Sequence, residues 1–272
     1  MTQARAGWLY YVAGNNQEQI AQKLGVSRQT AQRLVSLSVT EGLIKVRLDH
    51  PIGRCMELAE GLRSRYALDF AEVVPTDPAA PNSINGIAIA AALEIERWLK
   101  SPEPIVMAIG TGRTLKAAVE QLPSIKALQH KIVSLTGNIT PDGSAAFYNV
   151  IFNIAEAVQT RSFPMPLPVI ASSPDEREML VQQPMIKDIH ALAAQANITF
   201  VGIGDLGPDA PIFVDGFVSA SELKNLQKVG AVGEIVGWAF DAQGKFVDGL
   251  TNDRVASAPY RPENHPSLWQ LP

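Results

Sequence analysis

Between Gln17 and Leu37 the chain reads QEQIAQKLGVSRQTAQRLVSL, and this spacing leaves few folds open. Ile20, Ala21 and Leu24 recur at i, i+1 and i+4, the buried stripe of a short helix. Gly25 can take the left-handed conformation that ends such a helix, and Val26 can fill the corner behind it. Ser27 then offers a hydroxyl to the free amides of a second helix and reads as its N-cap. Thr30 stands where a full capping box wants Glu or Gln. Ala31, Leu34 and Val35 turn the second helix's apolar side inward, which leaves Arg28, Gln29, Gln32 and Arg33 outside. Arg can pair two-pronged with guanine and Gln with adenine, so this helix-turn-helix has the chemistry to read a major groove. A plain αα-hairpin with a solvated polar face is the bland alternative. The coincidence of turn glycine, cap, two inner stripes and outer Arg/Gln face favours DNA, with Ser27, Arg28, Gln29, Thr30, Gln32 and Arg33 as the contacting set.

The charge distribution agrees. The formal net charge is −4, yet residues 1–54 hold seven Lys/Arg against three Asp/Glu. The cationic part therefore lies where phosphate contact requires it. Upstream, residues 4–13 place Ala6, Leu9, Tyr10 and Ala13 on one side of a first helix. Downstream, residues 43–48 alternate apolar with basic, the period of a half-exposed strand. That strand reads as the wing of a winged helix, with Lys45 and Arg47 toward phosphates. Two bases on an ordinary exposed strand are nearly as good a reading for each residue alone. Pro51-Ile52-Gly53 closes the module, giving residues 1–53 as the DNA-binding domain and 54–272 as the second domain.

From residue 54 a connecting helix runs to Tyr66, and a strand is expected over 71–74. A long helical pattern over 83–99 follows. Strands at 104–109, 131–135, 167–171 and 198–203 then alternate with helices at 113–121, 148–159 and 175–195. Such alternation implies an α/β, Rossmann-like and mostly parallel sheet with helices on both faces. The strand cores, such as Ile105 to Ile109, are almost wholly apolar, as burial on both faces demands. One cysteine, Cys55, excludes an internal disulfide, and the four histidines lack metal spacing and read as surface or loop residues. No metal and no cofactor are expected. No stretch approaches the about 18 apolar residues of a membrane span. A soluble, cytoplasmic protein without a membrane partner is expected.

In open α/β sheets, ligands bind beyond the carboxyl ends of the strands. The best loop there is Gly110-Thr111-Gly112-Arg113-Thr114: two glycines admit close backbone approach, while hydroxyls and a fixed positive charge suit an anion. It lacks the Gly-Lys-Ser/Thr ending of a P-loop. A tight turn without a ligand is the bland alternative. Thr136, Gly137 and Asn138 end the next strand with groups suited to hydroxyls, Asp205 follows another, and Glu234 lies in a segment returning to the sheet. Asp205 can equally cap the next segment, and Glu234 can be a solvated surface acid.

Both halves resemble one family, the SorC-type sugar-binding transcriptional regulators of bacteria. The carrying residues are LYYVAGNNQEQIAQKLGVSRQTAQRLVSLSVTEGLIKVRLDHP at 9–51, GTGRTLKAAVEQLP at 110–123 and GAVGEIVGWAFDAQG at 230–244. The resemblance implies an N-terminal DNA-binding domain joined to an effector domain with a fold like the sugar-phosphate isomerases and glucosamine-phosphate deaminases. It implies operator DNA, a small sugar or sugar-phosphate effector, and self-association into dimers or tetramers. In that family the loop at 110–114 holds phosphate, and the strand end at Gly137-Asn138 belongs to the same site. One departure stands out: members usually continue past the equivalent of Arg254 with a strand, a Gly-Gly turn carrying a lysine, and a last helix. Here the chain runs into a proline-rich tail without a lysine. The expected consequence is that the tail cannot supply that last unit.

Two other functions compete: a sugar-phosphate isomerase or deaminase, and a DNA-binding scaffold whose second domain only oligomerises. An enzyme needs a placed general base near the phosphate loop, and the nearest strand end offers Thr-Gly-Asn instead.

Overall fold

In the computed structural model the N-terminal helices and the later alternation of strands and helices fall in separate parts of the chain. It describes residues 2–44, 51–80, 83–140, 143–145, 148–259 and 268–271. Two compact units result, Met1–Val73 and Val74–Pro272.

The first unit contains α1 (Thr2–Tyr11), α2 (Gln17–Leu24), α3 (Arg28–Thr40) and α4 (Pro51–Tyr66). Ala6, Leu9, Ile20, Ala21, Ala31 and Val35 form its core, with Leu24, Val26 and Leu34 partly buried against them. Gly25 ends α2 at φ 67° and returns its amide to the helix carbonyls. Asn16 and Gln19 cap the start of α2 reciprocally, a capping box that the sequence reading above passes over. α1 and α3 touch at Gly7, where a Cβ would stand 2.3 Å from Ser38 Oγ. Ser38 is fully buried and donates to the Val35 carbonyl at 2.7 Å. Because α1 begins at Thr2 and stops at Tyr11, its inner stripe is Ala6, Gly7 and Leu9. Tyr10 and Ala13, expected inside, are exposed. Leu43 and Ile44 lie in a bend, and the rest of the expected wing strand lies outside the described residues.

The second unit opens with α5 (Asn85–Leu99), β1 (Val106–Ile109), α6 (Arg113–Val119), β2 (Lys131–Ile139) and α7 (Val150–Val158). β3 (Arg161–Pro168), α8 (Pro174–Val181), α9 (Pro184–Ala193) and β4 (Ile198–Gly202) continue the alternation. Then come β5 (Gly204–Asp205), α10 (Pro211–Val214), α11 (Ala220–Lys228), β6 (Ala231–Ile235), β7 (Trp238–Asp241) and β8 (Leu268–Leu271). The main sheet has the order β3-β2-β1-β4-β8, with every pairing parallel, and β5-β6-β7 form a small antiparallel sheet. Alternate strand residues serve opposite faces. Met107, Ile109, Ile132 and Phe200 pack with α5, α6 and α7. Ala108, Val133 and Val201 pack with α9 and β6.

Several expectations need correction. No strand forms over 71–74; Val74 packs instead on Gly86 in the first turn of α5. The strand expected at 167–171 is β3, whose prolines mask it and are tolerated because it is a sheet edge. The single helix expected at 175–195 breaks before Pro184 into α8 and α9. The tail does supply a last strand: β8 pairs with β4 from Thr199↔Leu268 to Gly202↔Leu271. His130 is buried, not a surface residue: its Nδ1 accepts from the Ile105 amide at 3.2 Å and its Nε2 lies 3.0 Å from the Leu99 carbonyl.

Candidate functional site

From β1 the chain steps to β2 and β3 on one side of the sheet, and it later returns to place β4 on the other. The strand order therefore reverses between β1 and β4, the switch point where α/β sheets leave a crevice at their carboxyl ends. A cavity of about 640 Å³ lies there. Thr111, Gly112, Arg113 and Thr114 line it from the loop after β1, and Thr136 lines it from β2. Asp205 enters from the end of β4 through β5, and Glu234 from β6.

Three further residues expected at this site, Gly110, Gly137 and Asn138, do not line the cavity. The Gly110 amide donates to the Phe200 carbonyl at 2.8 Å and so belongs to the sheet. Gly137 permits the close approach of β2 and β3, since a Cβ there would stand 2.2 Å from the Leu167 carbonyl oxygen. Asn138 Oδ1 is buried and finds no partner among the described residues.

Arg113 is already engaged. Its Nε donates to Tyr148 Oη at 2.8 Å, and its terminal nitrogen meets Asp215 Oδ1 at 3.2 Å. The hydrogen bond to Tyr148, and then that to Asp215, hold the guanidinium firmly charged. Thr111 Oγ1 donates to the Tyr148 carbonyl at 2.5 Å, which fixes the same loop. Glu234 Oε2 accepts from the Gly237 amide at 2.8 Å, while its other oxygen crowds Gly204, where a Cβ would fit only if the Glu234 side chain moved. Burial pushes the Glu234 carboxyl above the usual carboxylate range, against the pull of the Gly237 amide. Tyr148, Asp209 and Asp215 line the cavity although the sequence reading above does not name them. They come from loops far from 110–114 in the chain, and no spacing rule joins them to it.

On α3, Arg28, Gln29, Thr30, Gln32 and Arg33 are all exposed. Ser27 Oγ accepts from the Thr30 amide at 3.1 Å, and the two hydroxyls lie 2.8 Å apart, so both residues serve the helix start. Lys45 and Arg47 lie outside the described residues. No described helix is long and apolar enough to cross a membrane. Among the described residues, no group of His, Cys, Asp or Glu side chains is arranged to hold a metal ion.

A polar recognition helix on one unit and a switch-point cavity on the other define the class: a DNA-binding protein with a ligand-binding domain. Residues 2–47 match the homeodomain-like domain, and residues 50–264 match the "Putative sugar-binding domain". The chain is 32% identical over 254 residues to the erythritol catabolism regulatory protein EryD of Brucella abortus, covering 93% of this chain and 80% of that protein. It is 30% identical over 250 residues to the transcriptional regulator LsrR of Klebsiella pneumoniae, covering 91% and 74%. The full-length sorbitol operon regulator SorC from Klebsiella pneumoniae shares the fold, with a TM-score of 0.66 at 22% identity over 94% of this chain and 83% of that one. The chain belongs to the SorC-type family of sugar-binding transcriptional regulators. It is a transcriptional regulator with a sugar-binding domain, and the enzyme reading is set aside because these relatives are regulators.

Proposed function

We propose that this protein binds the operator of a carbohydrate-catabolism operon in the cytoplasm and releases or tightens on it when a small sugar-type effector enters the switch-point cavity. The observation that carries the reading is the exposed row Arg28, Gln29, Gln32 and Arg33 on α3, in one chain with a polar cavity at the β1/β4 crevice. In this reading residues 1–53 read DNA, with Ser27 and Thr30 setting the helix start and Lys45 and Arg47 meeting phosphates. Residues 54–272 hold the effector and bring copies together. Thr111 to Thr114, Thr136, Asp205 and Glu234 meet the effector directly, while Gly110, Gly137 and Asn138 shape the strand ends behind them. The similarity to a regulator named for erythritol catabolism fits an effector of polyol or sugar type.

A single helix-turn-helix spans only a few base pairs, so useful affinity needs two copies on half-sites about one helical turn apart. A dimer or tetramer is therefore part of the proposal. Exposed Ile89 and Leu93 on α5, and the exposed apolar side of α4, supply surfaces for it. The test is footprinting with variants: Gln29→Ala and Arg33→Ala should relax sequence preference, each by roughly 1–3 kcal/mol of discrimination. Unchanged affinity and preference in both variants would remove α3 from the groove.

A further inference from the structure

The Arg113 guanidinium, the group in the cavity best suited to a ligand anion, already holds a carboxylate of this chain. Its terminal nitrogen lies 3.2 Å from Asp215 Oδ1, and the Asp215 side chain is 12% exposed where that of Arg113 is 48% exposed. The acid is thus the covered partner. A covered carboxylate has little water to turn to when its counter-ion leaves, so losing Arg113 is costly for it. Tyr148 holds the same guanidinium from another side, accepting from Nε at 2.8 Å. Tyr148 therefore fixes where Arg113 points, and Asp215 takes up a donor that faces the cavity's own segment 211–217.

Asp215 rides on a light element. It follows α10, a single turn closed by bonds from the Asp215 amide to the Pro211 carbonyl at 2.9 Å and from the Gly216 amide to the Phe213 carbonyl at 3.0 Å. Gly216 comes next at φ 79°, a conformation that glycine takes without strain. Pro211, Ile212, Asp215 and Phe217 all line the cavity. Ile212 and Val218 are buried and anchor the two ends, while residues 213–217 between them include no buried side chain. Segments with so little buried surface open locally at low cost.

Two anions brought to one guanidinium in a partly covered recess repel each other. We infer that Asp215 is a positioning residue of this site: through Arg113 it stands in for a ligand anion and latches the 211–217 turn, until an anionic group at Thr111 to Thr114 takes the guanidinium and frees the turn. The inference rests on the effector reading proposed above and adds to it the movement that a ligand's arrival sets off.

The probe is inorganic phosphate, added to the full chain and followed by calorimetry and by amide hydrogen exchange. Asp215→Asn keeps the size and the Oδ1 acceptor and removes the charge. It should bind phosphate about tenfold more tightly than the wild type, with its affinity for neutral sugars and polyols little changed. A merely structural Asp215 would weaken every ligand on substitution. In the wild type, saturating phosphate should speed exchange of the Asp215, Gly216 and Phe217 amides. In Asp215→Asn those amides should exchange fast from the start, and phosphate should change them little. The wild-type exchange measurement needs no variant and decides the matter even where Asp215→Asn fails to fold. Phosphate that slows or leaves unchanged the exchange of these amides in the wild type overturns the latch, as does an Asp215→Asn affinity no higher than that of the wild type. Phosphate that binds neither protein overturns it too. Each of these results leaves the effector reading in place, since a neutral sugar or polyol can still bind. A panel of sugars, polyols and their monophosphates tests that reading separately: heats indistinguishable from dilution across it overturn the effector reading, and the latch with it.

Discussion

At the scale of single residues, Glu234 does two things at once: it accepts the Gly237 amide at 2.8 Å and presents a carboxyl to the cavity. Burial raises its proton affinity above that of the unfolded chain. The folded form then binds more protons than the unfolded form between the two values, so stability falls as pH rises through that interval. The contribution is whole below the ordinary carboxylate value and gone above the raised one. Glu234→Gln carries no titrating group, so its thermal midpoint should decline less across that interval than the wild-type midpoint. Parallel midpoint-against-pH curves for the two proteins would mean that the carboxyl is not held protonated. The residue itself was visible in the motif GAVGEIVGWAFDAQG, but its environment was not, because that environment is made by Gly204 and Gly237 folding against it. Arg113 repeats the lesson. Its charge was readable from the loop, whereas its engagement by Tyr148 and Asp215 depends on segments 35 and 102 residues away.

At the scale of elements, α4 has no buried side chain among those described, although it carries a strong apolar pattern. Ile52, Cys55, Ala59, Leu62 and Tyr66 follow one another at i, i+3, i+7, i+10 and i+14, the a/d seam of a coiled coil. Arg54–Glu57 and Arg63–Glu60 ion pairs stand beside it, exposed and worth little to the isolated helix. If two copies pair in parallel along this seam, each Cys55 faces its counterpart. Mild oxidation should then give a covalent dimer that Cys55→Ser abolishes and Leu62→Glu suppresses. Cross-linking that survives Leu62→Glu, or never appears while light scattering reports dimers, would move the contact elsewhere. Where elements were legible in advance, local chemistry decided them: the Gly25 turn and the Ser27 cap act within a few residues. Where they were not, a neighbour decided. β3 holds Pro164, Pro166 and Pro168 and passes for a loop until β2 is beside it. β8 becomes a strand only because β4 offers its free side.

At the scale of the whole molecule, the chain is acidic, with a calculated isoelectric point near 5.6, and yet its partner is a polyanion. Seven of its 23 Lys/Arg lie within residues 1–54, against three of its 27 acids. DNA affinity should therefore depend steeply on salt in spite of the net charge. With about four phosphate contacts per copy, a dimer should lose affinity with a log–log slope of roughly −7. Fluorescence anisotropy over a salt series measures this, and a slope near zero would exclude phosphate contacts by this region. The acidic remainder of the chain should be repelled by the duplex, so charge should bias the orientation on DNA before any base is read.

The prolines of β3 bear on how copies can join. β3 lies at an edge of the sheet, and its positions 164, 166 and 168 are prolines without an amide hydrogen. Those three positions have no hydrogen to give to a further strand. A foreign strand laid there would find acceptors without donors and could not add a ladder. The sheet thus resists growth at the β3 edge.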